Sequence, residues 1–390
     1  MEKSKVVLLT CKDYEEESVN KAIEDGINLL GGIELLFKRE EKILLKPNLL
    51  AKASPEKAVT THPAVFKAVG KLLKEHGYDN LYYGDSPGNP IGGVERVAAG
   101  CGIKKPAEEL NIIPADFNKG TKVEFKEGIT EQSFIISNGI LECDGIINIC
   151  KMKTHQLERI TGAAKNMFGA VYGLNKGAFH AKFTDADSFA RMIADLNNFI
   201  KPRLHIMDGV IAMEGNGPQS GTPVEMGLIL MSKDPIALDT VFCNLINLKP
   251  ELVPTNRFGY EYGVGTMKND DIEIDTVQGC LTMEDAVRKY GNEKYNVYRG
   301  TDRKTQIKLL QPIQPLLQKK PYIIKDKCVK CGICVDSCPV DKKAITLESY
   351  PQYNYKLCIR CYCCQEMCPQ KAIDVKAPFL ARIMDRNWKL

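Results

Sequence analysis

The chain has 390 residues, a hydrophobic share of 44%, a charged share of 26% and a formal net charge of +4. That length calls for one large domain plus a smaller one, and a charge so small and dispersed excludes a nucleic-acid-binding surface. No apolar run approaches the ~20 residues that span a bilayer. The N-terminus, MEKSKVVLLTCKDYEEE, turns acidic without a small-residue cleavage site, so the sequence predicts a soluble, cytoplasmic chain with no transmembrane segment.

From residue 5 to 300, short apolar runs alternate with amphipathic helices, the pattern of an α/β layer architecture. KVVLLT (5–10), KILLK (42–46), NLYYGD (80–85), DGIINIC (144–150), LHIMDGV (204–210) and GLILMS (227–232) read as strands. SVNKAIEDGINLL (18–30), HPAVFKAVGKLLKEHG (62–77) and DSFARMIADLNNFIKP (187–202) read as helices. The second has Pro63 in its first turn and closes at Gly77; the third aligns Phe189, Met192, Ile193, Leu196 and Ile200 on one stripe. The expectation is a mixed, largely parallel sheet flanked by helices. GTDRKTQIKLLQPIQPLLQKKP (300–321) lacks sustained periodicity and reads as a connector, which divides the chain into domains 1–318 and 319–390. FLARIMDRNWKL (379–390) reads as a short helix docking back on the protein rather than a membrane attachment.

Nine of the 15 cysteines lie between 328 and 368. In a reducing compartment clustered thiols point to metal rather than disulfides. CVKCGICVDSCP and CIRCYCCQEMCP both spell C-x-x-C-x-x-C-x-x-x-C-P, so the unit is duplicated. Two intervening residues let a tight loop curl around a cubane and give one thiolate to each of three irons. In the bacterial two-cluster arrangement the fourth cysteine of each run crosses to the other cluster. The expected ligand sets are therefore Cys328, Cys331, Cys334 and Cys368 for one [4Fe-4S] cluster, and Cys358, Cys361, Cys364 and Cys338 for the other. Paired C-x-x-C also binds zinc, but zinc has no use for a third evenly spaced cysteine and a C-P. Cys363 falls out of register and reads as a non-ligand thiol. The strand-like segments AITLES and AIDVKA follow the two runs. This region resembles a bacterial-type two-cluster ferredoxin over residues 321–376. The tail is basic where free, diffusing ferredoxins are commonly acidic, which favours a conduit serving its own chain.

In open α/β sheets ligands bind beyond the carboxyl ends of the strands. There the chain places Lys46 and Asn48; Asp85 and Ser86; Lys151, Lys153 and His155, then Thr161, Lys165 and Asn166; and Asp208 and Glu214. K-P-N and D-G are also common turns, the lysines of KMKTH also suit a solvated face, and His62 also suits a helix cap. SPGNPIGG lacks the lysine of a phosphate-binding P-loop. Together, however, Lys46, Lys153 and Lys165 suit an anionic small-molecule ligand. His62 and His155 suit proton transfer or metal binding, and Asp85, Asp208, Glu214 and Asp239 could hold a metal or orient the lysines.

With KPN, THP, GDSPG, KMKTH, TGAAKNMFG, MEGNGP and DPIALD in this order, residues 5–240 resemble the family catalogued as domain of unknown function 362. Many members carry a two-cluster ferredoxin tail. The resemblance implies that Lys46, Asn48, His62, Asp85, Lys153, His155, Lys165, Asn166, Asp208, Glu214 and Asp239 are the positions to test, and it names no reaction. The expected function is an iron–sulfur redox protein of anaerobic metabolism that exchanges electrons with a partner protein and an anionic substrate. His155 or His62 would act as acid or base, and Lys153 and Lys165 would stabilise negative charge. The alternative is an electron carrier or adaptor whose body docks a partner enzyme.

Overall fold

The computed structural model describes residues 3–88, 93–173, 175–300 and 319–376. The connector through residue 318, part of the SPGNPIGG loop and the segment 379–390 lie outside the described residues, so the readings placed on them rest on sequence alone. The body comprises β1 (Ser4–Thr10), β2 (Ile43–Pro47), β3 (Leu81–Tyr83), β4 (Ile113–Pro114), β5 (Gly120–Glu124), β6 (Ser133–Ser137), β7 (Gly145–His155), β8 (Arg159–Thr161), β9 (Leu204–Glu214), β10 (Thr222–Ser232), β11 (Ile272–Thr276) and β12 (Gly279–Leu281). All but β5 and β6, which form a separate hairpin, belong to one ten-stranded sheet of order β12-β11-β1-β10-β9-β7-β2-β3-β4, with β8 on β7. Parallel pairings join β9, β7, β2, β3 and β4, and β1 with β11; β10 runs antiparallel to both β1 and β9. The sheet is mixed and largely parallel, as the α/β pattern required.

Alternating side chains along the strands build two cores, because successive residues point to opposite faces. Val7, Leu9, Ile206 and Ile229 face one layer with the helices Glu16–Leu29, Pro63–Glu75 and Ala186–Ile200. Val6, Leu8, Met207 and Leu230 face the other, against the helix Pro235–Leu245 and Tyr295. Local signals fix the helix ends. Pro63 opens the second helix, and Gly77, with φ +81°, lies just past its end, where glycine avoids the left-handed penalty. Asp185 and Ser188 form a reciprocal capping box at Ala186, and Asp234 accepts from the Ile236 and Ala237 amides.

The strands run further than the sequence reading allowed. KMKTH is part of β7 rather than lying beyond its end, and Met213 and Glu214 belong to β9. The cause is non-local pairing: β8 folds back on β7 with Lys153 opposite Thr161, and β10 stays paired to β9 out to Glu214, so both ends keep their ladder partners. All of β7 is buried, its lysines included.

The tail contains β13 (Lys320–Ile323), β14 (Ile345–Leu347), β15 (Pro351–Tyr353) and β16 (Ile373–Lys376), paired β13 with β16 and β14 with β15. The one-turn helices Ile333–Asp336 and Cys363–Glu366 occupy matching places in the two cysteine runs. Positive φ also recurs at matching places, Lys330 with Arg360 and Gly332 with Tyr362. The sequence duplication is thus a backbone duplication. Gln365 Nε2 ties the tail to the body by donating to Asn216 O (2.9 Å) and Asn216 Oδ1 (3.0 Å). Among the described residues no helix is long and apolar enough to cross a membrane.

Candidate functional site

Two cavities in the tail collect the cysteines. Cys328, Cys331, Cys334 and Cys368 line one, and Cys338, Cys358, Cys361 and Cys364 line the other. Each cavity thus takes three thiols from one run and the fourth from the other. The surroundings suit thiolate held by metal. The Ala344 amide donates to Cys338 Sγ (3.4 Å) and the Ala372 amide to Cys368 Sγ (3.2 Å), and these alanines open AITLES and AIDVKA. Burial, with Cys368 and Cys331 adding, pushes the Cys334 thiol up to about 11, so a thiolate there calls for a cation. Cys363 lies outside both sets and lines a different space.

That space is a cleft of about 620 Å³ between body and tail. The body contributes Asn48, Asp85, Ser86, Lys153, Thr161, Lys165, Asn166, Lys176 and His180 to it; the tail contributes Cys338, Cys363, Glu366 and Met367. Cys338 lines both the second cysteine cavity and the cleft.

A chain of amides fixes the floor. Lys153 Nζ donates to Asn48 Oδ1 (2.9 Å) and Val59 O (2.6 Å), Asn48 Nδ2 donates to Asn166 Oδ1 (2.7 Å), and Asn166 Nδ2 donates to Asn148 Oδ1 (2.7 Å). Lys46, fully buried beneath it, pairs with Asp85 Oδ1 at 2.9 Å and donates to Asn166 O at 2.7 Å. Its charge is therefore committed to the fold. Lys176 donates to the Ser86 and Pro87 carbonyls.

Lys165 differs from its neighbours. Among the described residues its ammonium has no hydrogen bond or ion pair, only the Phe168 and Phe189 rings at 6.0 Å each. Among the described residues, buried polar atoms near it also lack hydrogen-bond partners: Thr161 Oγ1 and His180 Nδ1 in the cleft wall, and both carboxyl oxygens of Glu158 outside the cleft lining. Unmatched polar groups of this kind are costly unless something meets them.

Burial sets the proton affinities. It pushes Lys153 down to about 7, with Lys165 adding, and it pushes Lys176 down to about 7 as well. Burial likewise holds His180 at about 4, hence neutral near pH 7, and raises the Glu158 carboxyl well above the usual carboxylate range. Burial opposes ionisation of Glu366, but His155, Lys165 and His180 together outweigh it and hold the carboxyl at about 2.

Several expected site residues lie elsewhere. His155 is an interdomain contact: Nδ1 accepts from the Leu157 and Glu158 amides (3.1 Å each), and Nε2 lies 2.7 Å from Glu366 Oε1. His62 caps its helix through Nδ1 and stacks on Tyr14 at 3.4 Å. Asp208 is bound by Lys151, Tyr14 and the His62 amide, and Glu214 accepts from the Asn296 amide. Asp239 caps the turn Ala163–Asn166 through the Ala163 and Ala164 amides (2.6 and 3.1 Å), so it holds Lys165 and Asn166 in place from behind. The sequence reading missed Lys176 and His180, although their four-residue spacing puts both on one helix face. It also missed Glu158, for which no sequence signal exists.

Residues 43–244 match the family described as domain of unknown function (DUF362), and residues 320–377 match the 4Fe-4S dicluster domain. The thylakoid-associated protein sll1697 of Synechocystis sp. (strain ATCC 27184 / PCC 6803 / Kazusa) is 34% identical over 251 residues, which cover 64% of this chain and 77% of that protein. Among solved structures, the lactate racemase apoprotein from Thermoanaerobacterium thermosaccharolyticum aligns with a TM-score of 0.41 and 10% identity, over 62% of this chain and 56% of that one. The chain belongs to the DUF362 family and carries at its C-terminal side a 4Fe-4S dicluster domain, which makes it an iron–sulfur protein.

Proposed function

We propose that the protein is an iron–sulfur oxidoreductase that binds an anionic small molecule in the cleft between body and tail and exchanges electrons with it. Cys328, Cys331, Cys334 and Cys368 hold one [4Fe-4S] cluster, and Cys338, Cys358, Cys361 and Cys364 hold the other; when bound, each supplies one electron at a time. The observation that carries the reading is the double placement of Cys338, which lines both its own cysteine cavity and the cleft that holds Lys165.

Lys165 anchors the anion, because its ammonium is the cleft cation with no hydrogen bond or ion pair among the described residues. Thr161 Oγ1 and His180 Nδ1 supply hydrogen bonds to the ligand. Lys153 and Lys176, poised near pH 7, each have one N–H beyond the two they donate to the protein. They are the groups placed to deliver a proton as negative charge develops on the ligand. The electrons come from a protein donor. Met367, Phe168 and Leu50 line the apolar part of the cleft and exclude water from the anion.

Native mass spectrometry of anaerobically purified wild type and Lys165→Met tests this. The expected result is an organic or inorganic anion on the wild type, absent from the variant, with equal iron in both. Equal iron with no anion on either protein, and no reoxidation of the reduced wild type by a panel of carboxylates and phosphate esters, would leave the carrier reading in its place.

A further inference from the structure

We infer that an acidic protein electron carrier docks on the tail over the first cysteine cavity, against a patch formed by Lys325, Lys327, Val329, Lys330 and Cys331. This inference rests on the cluster ligands assigned above and is independent of what the cleft binds.

The two cysteine cavities differ in exposure. The first is lined by Cys331, which is exposed, and by Val329, which is 60% exposed between Cys328 and Lys330. The second is lined by residues that are all buried or half-buried, and it shares Pro339 and the thiol Cys338 with the cleft, where the first shares only the apolar Ile333 and no thiol. The first site is therefore the outer one and the second the inner one. A donor that reaches the outer site meets an exposed apolar side chain and a cluster thiol with no intervening chain among the described residues.

Charge identifies the donor. Lys325, Lys327 and Lys330 are all exposed, and only Asp326 offsets them within that stretch. The Tyr350 ring gathers two of them, with Lys330 Nζ at 4.4 Å and Lys325 Nζ at 5.7 Å from its centroid. Exposed ammonium groups contribute little to holding a fold together, but their field reaches about 10 Å into solvent and steers an oppositely charged partner. A cluster of cations beside an exposed apolar side chain fits a protein with an acidic rim and a redox centre near its own surface. An anionic lipid surface shares the charge but has no use for an exposed valine and thiol directly over a redox site.

Anaerobic calorimetry of the full cluster-loaded chain with an oxidised, acidic two-[4Fe-4S] ferredoxin tests the inference. Lys325→Glu with Lys330→Glu is expected to weaken binding on the order of tenfold or more at low salt, and about 0.5 M salt should bring the wild type close to the variant. Stopped-flow reduction by the reduced ferredoxin should slow by a similar factor, while reduction by dithionite and the iron content stay unchanged. Lys325→Arg with Lys330→Arg should bind as the wild type does, and so should Lys122→Glu on the β5–β6 hairpin of the body. Binding by the charge-reversed variant within about twofold of wild type at low salt would overturn the inference. A loss confined to binding of phosphatidylserine vesicles, with the ferredoxin interaction intact, would overturn it as well.

Discussion

The cleft floor is most open to test at Asp85, and Asp85→Asn is the decisive perturbation. Asp85 Oδ1 lies 2.9 Å from the ammonium of Lys46, which is fully buried, and Asp85 Oδ2 accepts from the Leu49 amide at 2.8 Å. Asparagine keeps one oxygen and replaces the other with a donor. Whichever way the amide turns, a donor then faces either the ammonium or the Leu49 N–H. Among the described residues Lys46 also loses its one charged partner and keeps the Asn166 carbonyl at 2.7 Å. Removing one member of such a buried pair costs about 3–5 kcal/mol. At about 1.4 kcal/mol per tenfold, the local opening equilibrium should rise by roughly two to three and a half orders of magnitude. Hydrogen–deuterium exchange of peptides covering β2 and the middle of β7 reads this directly and does not require the whole chain to unfold in one step. An increase of less than about tenfold would refute the reasoning. So would a Lys46→Met, Asp85→Leu double variant that exchanges faster than Asp85→Asn, because an apolar pair removes both charges together.

Other outcomes follow from the same geometry. Gly169→Ala should open the same strands, since its Cβ would stand 1.9 Å from Asp85 Oδ1 and 2.9 Å from Lys46 Nζ; unchanged exchange would contradict the packing. Anion binding should weaken as pH rises through about 7, because Lys153 and Lys176 lose their protons there; affinity that stays flat from pH 6 to 8.5 by calorimetry would remove them from the site. Cys338→Ala should cost one cluster's iron and Cys363→Ala none, as read by iron analysis. Equal losses would mean that Cys363 is a ligand.

The local layers of the fold were legible in sequence because local chemistry fixes them. Pro63, Gly77 and the 3.6-residue stripe through Phe189 and Ile200 mark helices that tertiary contacts merely confirm. The cysteine runs were legible for the same reason, since ligand spacing is a property of the loop itself. The far ends of β7 and β9 were not, because the partners that keep Lys153 and Glu214 in strands come from β8 and β10. The candidate site was legible as a set and not in its roles. Lys153, Lys165, Asn48 and Asn166 meet in one cleft, but charge alone could not tell that Lys46 is committed to Asp85, that Asp208 is committed to Lys151 and that Lys165 is uncommitted. Nor does a strand-end argument foresee that the tail closes the cleft, since Cys338 joins Lys165, and Glu366 meets His155, only through the docking of two separate units.

The most direct test of a redox site shared by body and tail is the electron paramagnetic resonance spectrum of the reduced protein, recorded anaerobically with and without phosphate and short carboxylates. A bound anion should alter the signal that disappears in Cys358→Ala, and Lys165→Met should abolish the alteration while both cluster signals persist. Spectra of wild type and Lys165→Met that coincide with every anion tried would contradict the account.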